Sequence, residues 1–176
     1  MRPCLALSLT VAILGTLLPS LWADPLDIGS PAPHLSAPDA DGTPVDLGAA
    51  LAKGWTLVYF YPKAGTKGCT AQACSLRDAF PDLQAKGVAV IGVSLDTVEA
   101  LTKFRNENQL PFTLLSDPER MVAESFGVPS LPTGLDKRQA FLIHDGTVVW
   151  RQLDATTETE GIDTLKAYED LNPAKS

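Results

Sequence analysis

The chain has 176 residues, 45% of them hydrophobic and 20% charged, enough for one globular domain with a substantial core. Its formal net charge of −7 argues against nucleic acid or an anionic membrane surface as a partner, because nothing here would neutralise many phosphates. The acidity reads instead as a surface that keeps the protein soluble.

Met1-Arg2-Pro3 gives a short positive start, and Cys4 to Leu18 is almost wholly apolar. Pro19-Ser20 breaks that run, and Leu21-Trp22-Ala23 ends on a small residue before Asp24-Pro25. This is the pattern of a secretory signal over residues 1–23, cut after Ala23, although Leu21 is larger than such sites prefer. It predicts an exported, periplasmic protein. The competing reading is an uncleaved anchor, for which the apolar run is short and broken at its far end. Cleavage removes Cys4 and leaves two cysteines, Cys69 and Cys74. Arg2 is the only charged side chain lost, so the mature chain is one unit more acidic. Residues 24–176 read as a single domain.

The first elements of that domain form an N-terminal β-hairpin. His34 to Ala37 pairs with Pro44 to Leu47 across the Asp39-Ala40-Asp41-Gly42 turn. One helical turn fits between Gly48 and Gly54. The apolar run Trp55 to Tyr61 reads as a buried strand ending at Pro62. A helix follows over Thr70 to Lys86, with Leu76, Phe80 and Leu83 on one face and a kink or split expected at Pro81. Val88 to Ser94 is a second buried strand. Asp96 is expected to cap a helix from Thr97 to Asn108. A short strand lies within Leu110 to Leu115, and Ser116-Asp117-Pro118-Glu119 starts a helix that ends at Phe126-Gly127. After a loop from Val128 to Lys137, Ala140 to Ile143 and Val148 to Arg151 flank an Asp145-Gly146 turn. A terminal helix runs from Thr156 to Leu171, with Ile162, Leu165, Tyr168 and Leu171 as its apolar face and a solvated start at Thr156 to Glu160. Strands alternating with helices and closing on a hairpin predict an α/β thioredoxin-like fold, a mixed central sheet flanked by helices.

The chemistry concentrates between Phe60 and Asp78. A thiol on a loop that opens into a helix sits among unpaired N–H groups and a positive partial charge, both of which favour the thiolate. A free cysteine has a pKa near 8.5 and is only about 3% thiolate at neutral pH, so that environment matters. Positions five apart on an ideal α-helix have Cα atoms about 8.6 Å apart and about 140° round the axis. A disulfide needs them within roughly 7 Å, so Cys69 and Cys74 cannot bond while both lie in intact helix. A structural disulfide, or two inert thiols, is the bland alternative. A bridge spanning so few residues constrains the unfolded chain little.

Pro62-Lys63-Ala64-Gly65-Thr66-Lys67-Gly68-Cys69 resembles the peroxiredoxin pattern of proline, three residues, threonine, two residues, cysteine. The wider stretch to Asp78 is similar to the bacterioferritin comigratory protein, or peroxiredoxin Q, subfamily, whose resolving cysteine lies five residues after the peroxidatic one. The resemblance continues through Gly92 to Asp96, Leu110 to Phe112, Leu114 to Pro118 and Arg138 to Ile143, and covers nearly all of the mature chain. It implies a thiol-dependent peroxidase with Cys69 as peroxidatic thiolate and Cys74 as resolving thiol, joined in a redox disulfide. Thr66 would set its hydroxyl beside the sulfur and the peroxide, Pro62 would shape the pocket, and Arg138 would stabilise the thiolate and orient the substrate. It implies a hydroperoxide substrate, a thioredoxin-like dithiol reductant, a monomer, and no cofactor or metal. Lys67, Ala140 and His144 depart from the subfamily's usual residues.

Two other functions compete. An exported copper-delivery protein of the same fold needs two cysteines and a distant histidine, for which His144 is the remote candidate. An exported thiol–disulfide reductase needs two residues between its cysteines, where this chain has four. His34 and His144 are the only histidines, and neither lies near the cysteines in sequence.

Overall fold

In the computed structural model, which describes residues 24–173, the chain opens with an antiparallel hairpin of β1 (Ser36–Pro38) and β2 (Pro44–Asp46). The expected signal peptide, with Cys4, lies outside the described residues. Asp39 closes the hairpin turn by accepting from the Asp41 and Thr43 N–H groups. Helix α1 (Leu47–Leu51) follows, capped by Asp46, whose carboxylate accepts from the Ala49 N–H. The succession then runs β3 (Trp55–Phe60), α2 (Lys67–Ala85), β4 (Val88–Ser94), α3 (Val98–Asn108), β5 (Thr113–Ser116), α4 (Met121–Ser125), β6 (Gln139–His144), β7 (Thr147–Gln152) and α5 (Glu160–Leu171). The five long-range strands form one mixed sheet in the order β5-β4-β3-β6-β7. β3, β4 and β5 are parallel, β6 runs antiparallel to β3, and β7 reverses again beside β6. This is the expected thioredoxin-like arrangement.

The period-2 alternation of the strands divides the interior into two cores. From β3 and its extension, Leu57, Tyr59 and Tyr61 join a core with Leu76 and Leu83 of α2, Leu101 and Phe104 of α3, and Tyr168 of α5. Val58 and Phe60 point the other way, into a core with Leu47 and Leu51 of α1 and with Val122 and Phe126 by α4. β6 splits likewise, Ala140 and Leu142 to one side and Phe141 and Ile143 to the other. A side chain of Leu or Phe size fully buried in this way contributes about 1.5–3 kcal/mol. The continuous apolar runs are thus explained by helices on both faces of the sheet.

Several expectations are corrected. α2 starts earlier than Thr70, so both cysteines lie inside it, and it runs unsplit through Pro81. Pro81 is exposed, so its ring lies on the outer side of the helix, while Leu76 and Leu83 stay fully buried. Thr97, not Asp96, caps α3: its hydroxyl accepts from the Ala100 N–H. α4 begins only at Met121, and Asp117 reaches its start from a distance, accepting from the Val122 and Ala123 N–H groups. α5 begins at Glu160 and buries only part of the expected face: Tyr168 is in the core and Leu165 packs against it, but the other two apolar residues do not. Ile162 and Leu171 are exposed, whereas Glu160, Gly161, Thr164, Ala167 and Tyr168 are buried. Gly161 explains the choice. A Cβ there would lie 2.4 Å from the Ser75 carbonyl oxygen and 2.6 Å from the Ala79 Cβ, so α5 approaches α2 more closely than large side chains permit.

Candidate active site

Cys69 sits in the first turn of α2, beyond the C-terminal end of β3. That is the crevice position of an α/β sheet, where loops leave the ends of parallel strands. The loop between strand and helix is held from the neighbouring strand. The Ala64 N–H donates to Asp96 Oδ2 at 2.7 Å, and the Ser94 hydroxyl donates to the same oxygen at 2.8 Å. Asp96 therefore ties the cysteine loop to the end of β4 instead of capping α3. Gly65 has φ +74°, a left-handed conformation that favours glycine.

The register of the sheet brings the distant arginine in. β6 runs antiparallel to β3 with Phe60 opposite Gln139, so Arg138, just before β6, lies beside the loop that leaves β3. Arg138 Nη2 donates to Cys69 Sγ at 3.3 Å. The sulfur is buried, with Cys69 only 2% exposed, so this guanidinium is a fixed charge facing a reactive atom in a low-dielectric setting. Arg138 Nη1 donates in turn to Gln72 Oε1, and Gln72 Nε2 donates to Glu160 Oε2 at 3.2 Å. The chain sulfur–guanidinium–amide–carboxyl crosses from α2 to α5.

The other candidates are distributed around this pair. The Thr66 hydroxyl donates to the Lys63 carbonyl oxygen at 3.0 Å, which leaves its lone pairs as acceptors. Thr66 is exposed at the N-cap of α2, and Pro62 is half-buried at the rim. Cys74 is half-buried one and a half turns further along α2, and both cysteines are free thiols. Cys74 faces α3, its Sγ 4.0 Å from Asn108 Oδ1, and Arg77 Nη1 donates to the Asn108 carbonyl oxygen at 3.0 Å. Nothing brings the histidines in. The His144 ring stacks on Trp55 at 4.1 Å, at the opposite end of β3, on the order of 17 Å along the strand from the cysteine loop. Among the described residues, no group of His, Cys, Asp and Glu side chains gathers as a metal site.

Sequence reasoning missed Gln72, Glu160 and Tyr59. Gln72 was legible, since a position three residues after Cys69 lies on the same helix face. Glu160 was not, because the polar text Thr156 to Glu160 reads as a solvated helix start. It is instead fully buried, and burial pushes its carboxyl up to about 7, with Asp163 adding to the rise and Gln72 and Arg138 opposing it. The buried Tyr59 hydroxyl has no hydrogen-bond partner among the described residues. Burial drives its pKa upward, and the charges of Glu160, Cys69 and Arg138 all reach it.

Residues 28–151 match the AhpC/TSA family. The chain belongs to that family and is a peroxiredoxin. It is 50% identical over 105 residues to Peroxiredoxin Bcp of Escherichia coli strain K12, over 60% of this chain and 67% of that one. The crystal structure of peroxidoxin BcpB from Mycobacterium tuberculosis superposes with a TM-score of 0.74 at 32% identity, covering 85% of this peroxiredoxin and 98% of that chain. A cysteine-to-serine variant of Xanthomonas campestris peroxiredoxin Q gives 0.71 at 27% identity, covering 78% and 91%. The subfamily resemblance carried by the cysteine stretch thus extends to fold and overall sequence.

Proposed function

We propose that this peroxiredoxin reduces hydrogen peroxide and organic hydroperoxides with Cys69 as the attacking thiolate and Cys74 as the resolving thiol. The observation that carries this reading is the guanidinium of Arg138 donating to the buried Cys69 sulfur at the start of α2. Thiolate attack forms an S–O bond to one peroxide oxygen and breaks the O–O bond. The departing oxygen leaves as alkoxide or hydroxide and takes a proton. The Arg138 donors lower the barrier by meeting the charge that moves onto that oxygen. The Thr66 lone pairs accept from the peroxide O–H, and Pro62 narrows the rim. Cys69 is left as a sulfenic acid.

Resolution follows by attack of the Cys74 thiolate on the Cys69 sulfur. The S–S bond forms, the S–O bond breaks, and the oxygen leaves as water after protonation. Both cysteines lie in continuous helix, so the bond requires the first turns of α2 to open, as their helical separation of about 8.6 Å demands. A thioredoxin-like dithiol then reduces the disulfide by thiol–disulfide exchange. The protein acts as a monomer and is exported to the periplasm after a cut following Ala23. The charged start, apolar run and small final residue of residues 1–23 support export, and the amino-terminal sequence of the secreted protein tests it.

The deciding assay is hydroperoxide consumption driven by a dithiol donor. Cys69→Ser is expected to abolish turnover, and wild-type turnover in that variant would refute the assignment. Cys74→Ser is expected to consume one equivalent and stall.

A further inference from the structure

The peroxidase reading uses Cys69 and Arg138 but leaves the far end of their hydrogen-bond chain without a role. Glu160 is the first residue of α5, and none of its surface is exposed. Its Oε2 accepts from Gln72 Nε2 at 3.2 Å, while its Oε1 is buried with no partner among the described residues. The Gln72 amide is held at both ends, its oxygen toward Arg138 and its nitrogen toward Glu160. The orientation of the amide, the guanidinium and the sulfur contact are thus set together.

The groups facing Glu160 come from every element packed against it. α2 contributes Gln72 and, through Arg138, the Cys69 sulfur. The segment before β6 contributes the Arg138 charge, β3 the Tyr59 hydroxyl, and α5 itself Asp163. Asp163 is held by hydroxyl donors, accepting from Thr156 at 2.8 Å and Thr159 at 2.9 Å. One guanidinium therefore serves two potential anions, the Cys69 thiolate and the Glu160 carboxylate, in an interior where charges interact strongly.

We propose that Glu160 is a proton-linked positioning residue: through Gln72 it orients Arg138 on the Cys69 sulfur, and it releases its proton when that sulfur loses its negative charge. With Cys69 as thiolate, Arg138 is balanced and the buried carboxyl holds its proton more tightly. Once the thiolate has become a sulfenic acid, the guanidinium is unbalanced and Glu160 shifts toward its ionised form. The protons balance. Reduction of the peroxide takes up one proton on the departing oxygen; the carboxyl supplies part of it through its fall in proton affinity, and water supplies the rest. Linkage is reciprocal, so removing the charge at residue 69 by any means must lower the proton affinity of Glu160. The burial-raised carboxyl, near 7, places this exchange within the neutral range.

This inference rests on Cys69 being the attacking thiolate, but its test does not need turnover. Protein labelled with 13C at the glutamate carboxyls is titrated by NMR, and Glu160 is assigned by the resonance that Glu160→Gln loses. In the reduced wild type the midpoint is expected near 7. In Cys69→Ser it is expected to fall by at least about half a unit, about threefold in proton affinity. An unchanged midpoint, or a wild-type midpoint in the ordinary carboxyl range, would overturn the proposal. The rate of Cys69 oxidation against pH gives a second readout that a merely structural role would not move. Its inflection near neutrality should vanish in Glu160→Gln, and a retained wild-type profile would count against the linkage. Failure of peroxide turnover in the wild type would instead remove the peroxidase reading.

Discussion

Opening of α2 is the step most exposed to a small perturbation. Gly68 precedes Cys69 inside the helix and does not have a positive φ. Alanine there stabilises the helical form by about 0.5–1 kcal/mol relative to glycine. The added methyl group fits the folded site. Its Cβ would lie 3.4 Å from Thr157 Cγ2 and 3.5 Å from Arg138 Nη2, both ordinary contacts that are lost when the helix opens. Because 1.36 kcal/mol corresponds to tenfold, disulfide formation in Gly68→Ala should slow by between about twofold and fivefold. The peroxide step, which uses the folded helix, should hold its rate. Rapid mixing of reduced protein with peroxide, quenched by thiol alkylation, separates sulfenic acid from disulfide by mass. A disulfide step that is unchanged or faster, with the first step intact, would refute the requirement that α2 unwind.

Three further outcomes follow from buried charge and close packing. Arg120 donates to Asp136, whose side chain has no exposed surface, and also to the Val128 carbonyl oxygen at 2.9 Å. Arg120→Met should destabilise the protein by about 3–5 kcal/mol in denaturant titrations at pH 7.5. The loss should shrink at pH 5, because burial already raises the Asp136 carboxyl to about 6 and its protonated form needs no cation. Glu160, raised from 4.5 to about 7, binds its proton more tightly folded than unfolded, so its contribution to stability falls as pH rises across that window. Glu160→Gln should thus gain up to about 3 kcal/mol at pH 8 and nothing near pH 4.5. A pH-independent difference would contradict the assigned cause. Gly161→Ala should loosen α5 from α2 at a cost of about 1–3 kcal/mol, read as a lower thermal midpoint, because its Cβ would meet backbone at 2.4 Å.

Much of the fold was legible because long apolar strands with Gly and Pro punctuation leave few alternatives. Val88 to Ser94 is a strand with the bounds read from its text, and the Asp-Gly turn pairs β1 with β2 as expected. The misreadings have physical causes. Counting large apolar residues selected Ile162 and Leu171 for the buried face of α5. Close helix contact is instead made by Gly161, Thr164 and Ala167, and hydrophobic spacing does not register small residues. Asp96 looked like a cap because it precedes a helix, yet the loop 32 residues earlier in sequence, at Ala64, takes its carboxylate. Within the site, the local motif placed Pro62, Thr66, Cys69 and Cys74 near one helix start. The Arg138 contact depends on the β3–β6 register, which only the assembled sheet supplies.

The central claim is that one equivalent of peroxide converts the Cys69–Cys74 dithiol into an internal disulfide by way of oxidised Cys69. Mass spectrometry of the intact protein and of its peptides, after addition of one equivalent to reduced material, tests this directly. The wild type should lose two hydrogens and yield a Cys69–Cys74 cross-linked peptide. Cys74→Ser should instead gain one oxygen on Cys69, and Cys69→Ser should remain unchanged. Oxygen appearing first on Cys74, or a Cys69→Ser variant that oxidises at the wild-type rate, would contradict the account.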